Sequence, residues 1–551
     1  MKQTRSWRFF SLIATSTLAF IFVATNVYRL QIGQFEQYSK QALASTSGLN
    51  FLSATRGTIY VQDKDGSPVP AALTKDSPVV FAVPAEIEDA GAVASLLSEF
   101  VELDSEQLLT MLSRTESQYA LLIPRASEEV AEKIEQLNIQ GVYVDSEKRR
   151  FYPYGDLASQ VLGFVGLTAE SDVPEGRAGV EMFENDALAG VARSYSEDGG
   201  LSDSIDGEDV ELTINRDIQA KAEEVLHRLV SEYNAEGGSV IVQDPKTGAI
   251  LAMANNPTFD PNDYGKYDIG SLSNSSVEDI YEPGSIAKVL TMAAGLDSGA
   301  LSPGTVYHDT GEIKLNGRTI KNWDLIGHGD VTMTNAIEKS INTALVFAEQ
   351  QIGHEKFYQY LLDFGFKERT GIKLPNEGVG SLAPLEDVGR DVNFATAAFG
   401  QGIAVTPIRL ITAISGLAND GVMMKPYIFA NQSPQVERQI VSKKAADQVT
   451  DMMVSAVDKS HVAAIENYTV AGKTGTAQVP DFVHGGYLDF DEAVINTYIG
   501  FAPASDPAFT VMVKLNKPAG APLAGQTVVP AFREIAEFLL NYLSVPPDDL
   551  D

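Results

Sequence analysis

Tyr281-Glu282-Pro283-Gly284-Ser285-Ile286-Ala287-Lys288 is the stretch that decides how this chain reads. Pro283 and Gly284 make a turn. The apolar, alanine-rich run from Ile286 to Leu296 then predicts a buried helix. Ser285 falls in its first turn, where unpaired backbone N–H groups and the positive dipole end favour negative charge on its oxygen. Lys288 follows three residues on and on the same face, with the two β-carbons about 5–6 Å apart. A lysine so placed can take the serine's proton, provided burial or a second cation lowers its own pKa. The Ser-x-x-Lys spacing occurs once in the chain. Such a tetrapeptide also arises by chance in ordinary helices, so the remaining sequence must supply its partners.

Two later patterns do so. Lys339-Ser340-Ile341-Asn342-Thr343 places a hydroxyl and an amide two residues apart, just before an apolar helix. Taken alone it is also ordinary helix-capping chemistry. Thr469-Val470-Ala471-Gly472-Lys473-Thr474-Gly475-Thr476-Ala477-Gln478 is a β-rich run. Gly475 lets a substrate backbone come close to it. Thr474 and Thr476, two apart, face one side and suit a carboxylate. Lys473 brings positive charge that attracts the carboxylate and lowers the pKa of Lys288. Taken alone, this too is an ordinary strand with a solvated lysine. A second Lys-Thr-Gly at Lys246-Thr247-Gly248 follows Asp244-Pro245, precedes the serine, and belongs to a hairpin turn. The ordered set Ser-x-x-Lys, Ser-x-Asn, Lys-Thr-Gly marks penicillin-binding proteins and class A β-lactamases, with Ile341 where their usual motif has Asp.

Composition limits the class. The chain has 551 residues, 74 acidic and 41 basic, for a formal net charge of −33. That length exceeds one ordinary core, and that charge argues against nucleic acid. With no cysteine and six scattered histidines, thiol chemistry is excluded and a metal site is not expected; no cofactor is called for. Lys2, Arg5 and Arg8 precede an uncharged run from Phe9 to Tyr28, long enough to cross a bilayer as a helix. The basic flank puts residues 1–8 in the cytoplasm and the bulk outside, in the periplasm. A cleaved signal peptide is the competing reading, disfavoured by the run's length and the lack of a small-x-small site.

Residues 29–200 read as a mixed α/β pedestal with no nucleophile–base pair. Strands are expected at Thr55–Tyr60, Val79–Pro84 and Gln160–Gly166, and helices at Ala92–Phe100, Ser105–Ser113, Ser127–Leu137 and Gly179–Leu188. Ser194–Asp209 reads as a loop. Residues 201–545 read as an α+β domain, one antiparallel sheet covered by helices. Its expected elements are the Gly238–Met253 hairpin, helices over Thr334–Gln351 and Thr406–Asn419, strands at Ile495–Phe501 and Phe509–Lys514, and a closing helix. The acidic tail 546–551 is expected to be disordered.

The chain resembles the class B penicillin-binding proteins, monofunctional D,D-transpeptidases that cross-link peptidoglycan. The resemblance is carried by Arg56-Gly57-Thr58-Ile59-Tyr60, Gly179-Val180-Glu181 and Glu282-Pro283-Gly284-Ser285. It continues through Ser340-Ile341-Asn342, Phe399-Gly400-Gln401-Gly402 with Thr406-Pro407, and Lys473-Thr474-Gly475-Thr476. Where the family shows Asp-Arg-Asn-Gly, this chain has Val61-Gln62-Asp63-Lys64-Asp65-Gly66. The resemblance implies a penicillin-binding, serine β-lactamase-like transpeptidase domain and a set of roles. Lys288 deprotonates Ser285, Ser340 relays a proton, and Asn342 holds the donor amide and orients Lys288. Lys473, Thr474 and Thr476 bind the terminal carboxylate, beside Gly475. It implies stem peptides and β-lactams as ligands. It also implies a multi-spanning membrane polymerase and other cell-wall or division proteins as partners. Rival readings with the same acyl-serine are a β-lactamase or D,D-carboxypeptidase; a non-catalytic β-lactam sensor or scaffold is a third.

Overall fold

The computed structural model describes residues 54–101, 103–167, 174–191, 204–386, 390–481, 483–484, 486–488, 493–520 and 523–550, with positions 13–18, 20–23, 25, 28 and 29 nearer the N-terminus. The chain divides into two compact units. One gathers Met1–Thr55, Asp76–Arg149 and Gly190–Gly207. The other gathers Arg56–Lys75, Arg150–Ala189 and Glu208–Asp551.

In the first unit, helices Ala90–Leu97, Ser105–Leu112 and Glu128–Leu137 begin where Asp89, Asp104 and Ser127 accept the first free backbone N–H groups. Leu97, Leu108 and Ile134 on these helices close over Val80, Ala82 and Leu122 of the strands. Val80, Phe81 and Ala82 pair antiparallel with the Ala120–Ile123 strand. The described residues between 13 and 29 are helical and exposed. Among the described residues no helix is long and apolar enough to cross a membrane, and several positions of the expected 9–28 span lie outside them. Most of the loop expected at Ser194–Asp209 also lies outside them.

The second unit is built on an antiparallel sheet of five strands. Their spatial order is Ala471–Gln478, Val494–Ala502, Phe509–Asn516, Gly237–Gln243, Ile250–Asn256. Alternation along each strand buries both faces. Val240, Val242, Val511 and Val513 pack with Leu226, Phe532 and Leu539 of helices Arg216–Glu232 and Val528–Tyr542. Ile241, Met512 and Ile499 face the other way, onto helices Ala287–Asp297, Pro407–Ala418 and Lys443–Ser460. The α+β class and the sheet-and-helix expectation both hold.

Several local expectations differ: the strand expected at Thr55–Tyr60 begins only at Ile59, and the Gly179–Leu188 helix is two, Gly179–Phe183 and Asn185–Ala189. Gln160–Gly166 is not a strand: Ser159–Leu162 is a helical turn, and only Val165–Gly166 is extended. The buried Gln160 amide donates to Pro257 O and Ser271 O, and the Glu223 carboxylate holds the N–H of left-handed Ala158. The Thr334–Gln351 helix is two helices, Met333–Glu338 and Asn342–Ile352. The acidic tail is pinned, since Asp548 accepts from Thr469 N–H at 2.8 Å and from Ser505 Oγ at 2.5 Å.

Arg56–Lys75 and Arg150–Ala189 are tied together by one buried acid. Glu181, fully buried, accepts from Arg56 Nε at 2.7 Å, Arg150 Nε at 2.5 Å and Tyr152 Oη at 3.2 Å. Two cations and a phenol satisfy a carboxylate that would otherwise be costly to bury.

Candidate active site

Ser285 lies in the tight 3₁₀ turn Gly284–Ile286 that opens the helix Ala287–Asp297 and is half-buried. Its surroundings are backbone on backbone. Gly284 N–H donates to Gly400 O at 3.1 Å, and a β-carbon on Gly400 would lie 2.1 Å from Gly284 O. A β-carbon on Gly475 would meet Ile286 at 2.8 Å and Pro283 O at 3.1 Å. These glycines let the Ala471–Gln478 strand and the Gly400 loop close on the turn. Glu282 adds a side-chain tie: its carboxylate accepts from Gly402 N–H at 3.0 Å and from Tyr487 Oη at 3.1 Å.

Lys288, the second residue of that helix and one turn on from Ser285, is fully buried. Its Nζ donates to Ser340 O at 2.6 Å and to Ser340 Oγ at 3.0 Å. Burial, and then the charge of Lys473, hold its pKa well below the ordinary lysine value, with Asp324 pulling the other way. Lys473 is buried on the edge strand of the sheet, and burial lowers its pKa to about 7. Its Nζ donates to Ser340 Oγ at 3.1 Å and to Thr474 O at 3.0 Å. One hydroxyl thus sits between two buried amines.

Ser340 reaches that position because the chain breaks its helix there. Thr332 and Asn335 form a capping box that starts the first helix. Lys339 ends it, and Ser340 takes a left-handed backbone, φ 55°. Such a conformation is held only where the surroundings over-determine it. Here Trp323 Nε1 donates to Lys339 O at 3.1 Å and Lys288 to Ser340 O.

Asn342 opens the second helix and donates to Lys321 O at 2.8 Å. The implied contact to Lys288 is therefore made by Ser340, not by this amide. Thr474 and Thr476 are half-buried and Gly475 is buried between them, as strand alternation requires. Among the described residues the Ala471–Gln478 strand pairs on its Val494–Ala502 side alone, so the other edge offers backbone groups to an extended ligand.

Sequence reasoning missed a second set of residues behind this site. Asp309, Asn322 and Thr343 are buried and bonded to one another. Asp324 and His328 pair at 3.0 Å. No short motif marks them, because they come from separate segments and carry no regular spacing.

A helix-initiating serine, a buried lysine one turn later and a second lysine on the neighbouring edge strand define a serine acyl-transferase of the β-lactam-binding class. Comparison gives the family. Residues 238–537 match the penicillin binding protein transpeptidase domain, and residues 51–196 the penicillin-binding protein dimerisation domain. The chain belongs to the class B penicillin-binding proteins. It is 33% identical to stage V sporulation protein D of Bacillus subtilis, covering 96% of this chain and 85% of that one. It is 30% identical to the probable peptidoglycan D,D-transpeptidase PenA of Neisseria meningitidis, covering 98% and 93%. A solved peptidoglycan synthetase from Bifidobacterium adolescentis superposes with a TM-score of 0.68 at 28% identity, covering 91% of this chain and 97% of that chain.

Proposed function

We propose that this chain cross-links peptidoglycan stem peptides through an acyl-enzyme on Ser285. The observation that carries the reading is the convergence of Lys288 and Lys473 on Ser340 Oγ, at 3.0 and 3.1 Å, one helical turn from Ser285. Lys288, kept neutral by burial and by a neighbouring cation, takes the Ser285 proton. Ser285 Oγ bonds to the carbonyl carbon between the two D-alanines. Backbone N–H groups of Ser285 and Thr476 hold the oxyanion, at about 3 kcal/mol per donor. The C–N bond then breaks, and Ser340 passes the proton to the departing D-alanine. Lys473, Thr474 and Thr476 hold the donor's terminal carboxylate, Gly475 keeps the strand open to its backbone, and Asn342 holds its amide. The amine of a neighbouring stem attacks the ester carbon, loses its proton to the Lys288–Ser340 relay, and frees Ser285. A β-lactam enters by the same first step and remains as an ester.

The Lys2, Arg5, Arg8 flank and the uncharged run to Tyr28 support a single anchor over residues 9–28 in the inner membrane, N-terminus cytoplasmic. The acidic bulk then lies outside, with glycan polymerisation left to a multi-spanning membrane partner and septal synthesis as the setting. Ser285→Ala tests the core of the proposal. Its expected result is loss of labelling by a fluorescent penicillin with unchanged thermal unfolding; a mutant that still labels overturns Ser285 as nucleophile.

A further inference from the structure

Behind the Ser340 turn lies a buried carboxylate that the proposed chemistry does not use. Asp309 ends the Val306–Asp309 strand and is 2% exposed. It accepts four hydrogen bonds: Thr343 Oγ1 at 2.7 Å, Asn322 Nδ2 at 2.8 Å, Gly311 N–H at 2.9 Å and His328 N–H at 3.0 Å. Asn322, also buried, turns its carbonyl oxygen to Thr343, accepting from its N–H and its Oγ1, each at 3.2 Å. Its amide also donates to Ile326 O at 2.9 Å.

Both partners adjoin the site in sequence. Thr343 follows Asn342, and Asn322 follows Lys321, whose carbonyl receives the Asn342 amide. Trp323, next to Asn322, donates to Lys339 O at the helix break. The three residues therefore fix the start of the Asn342–Ile352 helix and, through the 321–323 backbone, both sides of the left-handed Ser340. A left-handed serine between two helices has no local cause, since neither glycine nor proline is present from 332 to 352. It needs such a frame. A carboxylate suits the task because it accepts from four donors at once and is negative, which strengthens each bond.

We propose that Asp309, acting through Asn322 and Thr343, is a positioning residue that sets Ser340 between Lys288 and Lys473. It touches no substrate. Its effect is on the rate of the acylation step in each folded molecule, not on how many molecules fold. The inference rests on the Ser285 acyl-enzyme reading above.

The experiment measures the second-order rate constant and the final amplitude of fluorescent-penicillin acylation for the full chain, as a function of pH. It compares the wild type, Thr343→Ser, Thr343→Val and Asp309→Asn. Serine keeps the hydroxyl that donates to Asp309, and is expected to acylate within about threefold of wild type. Valine removes that hydroxyl at nearly equal volume. Its rate constant is expected to fall at least tenfold at full amplitude, with the pH profile displaced, and Asp309→Asn is expected to fall further. If Asp309→Asn does not fold, the serine and valine pair decides the matter. A valine variant with wild-type rate constant, or one that loses amplitude at an unchanged rate constant, overturns the inference. If the wild type does not acylate at all, the acyl-enzyme reading itself fails, and that outcome is distinct from either.

Discussion

Lys288 and Lys473 come from a helix and an edge strand, yet both direct their amines at one oxygen, Ser340 Oγ, at 3.0 and 3.1 Å. Two ammonium groups so close repel, and burial disfavours both charges. The pair is therefore poised to hold fewer than two protons at neutral pH.

Acylation is expected to follow a bell with pH. A base must be neutral, so the rate rises as Lys288 loses its proton, well below the ordinary lysine value. A carboxylate anchor must be cationic, so the rate falls as Lys473 deprotonates at about 7. Lys473→Gln removes the cation that lowers Lys288, and should move the rising limb to higher pH. Stopped-flow acylation across pH 5–9 checks this; a rising limb that stays in place rules out the coupling.

Ser340→Ala should reduce acylation by about 10²–10⁴-fold, the range for a lost proton-transfer group. The fold should survive, because Lys288 keeps its bond to the Ser340 carbonyl. Intact-protein mass spectrometry after penicillin treatment reads the outcome directly.

Glu181→Ala leaves Arg56 and Arg150 without their shared carboxylate, and the two arginine side chains are 11% and 5% exposed. Removing one member of a buried ionic set costs about 3–5 kcal/mol. Chemical denaturation should show a loss of that size. A loss under about 1 kcal/mol would mean that water replaces the carboxylate at little cost.

Glu223 is held at about 7 by burial, offset by its bonds from Gln219 and Ala158. A carboxyl raised in the folded state stabilises that state when protonated. Stability should therefore fall as pH rises from about 5 to 7 and level off above, as the folded protein loses a proton the unfolded chain lost earlier. Glu223→Gln should be more stable than wild type at pH 8 by roughly 1–3 kcal/mol, with the gap closing toward pH 5. Melting curves at the two pH values test the sign.

What the sequence revealed, and what it hid, follows the range of the forces involved. The Ser285 helix, the Gly237–Gln243 and Ile250–Asn256 hairpin and the closing strands are set by periodicity and turn chemistry within a few residues, and they were legible. The break at Lys339–Ile341 was half legible, since Ser340 and Asn342 read as capping chemistry while the expected Thr334–Gln351 helix runs through them. No glycine or proline announces it, and the carbonyls it exposes are satisfied by Lys288 and Trp323, distant in sequence. The helical turn at Ser159–Leu162 was hidden for the same reason: its buried amide finds partners near residues 257 and 271. The pinned tail depends on Thr469 and Ser505, again remote. Of the site, the ordered motifs exposed the groups that bear charge or nucleophilicity, while the frame of Asp309, Asn322 and Thr343 carries no spacing that a reader could recognise.

Gly400 is pressed against the Gly284 main chain and Gly475 against Ile286 and the Pro283 carbonyl, so that around Ser285 neither has room for even one methyl group. Adaptation to new inhibitors is thereby steered away from the innermost wall. Change must come from farther out, at solvent-facing side chains that hold none of this frame, such as Leu325, which can be exchanged without moving the serine.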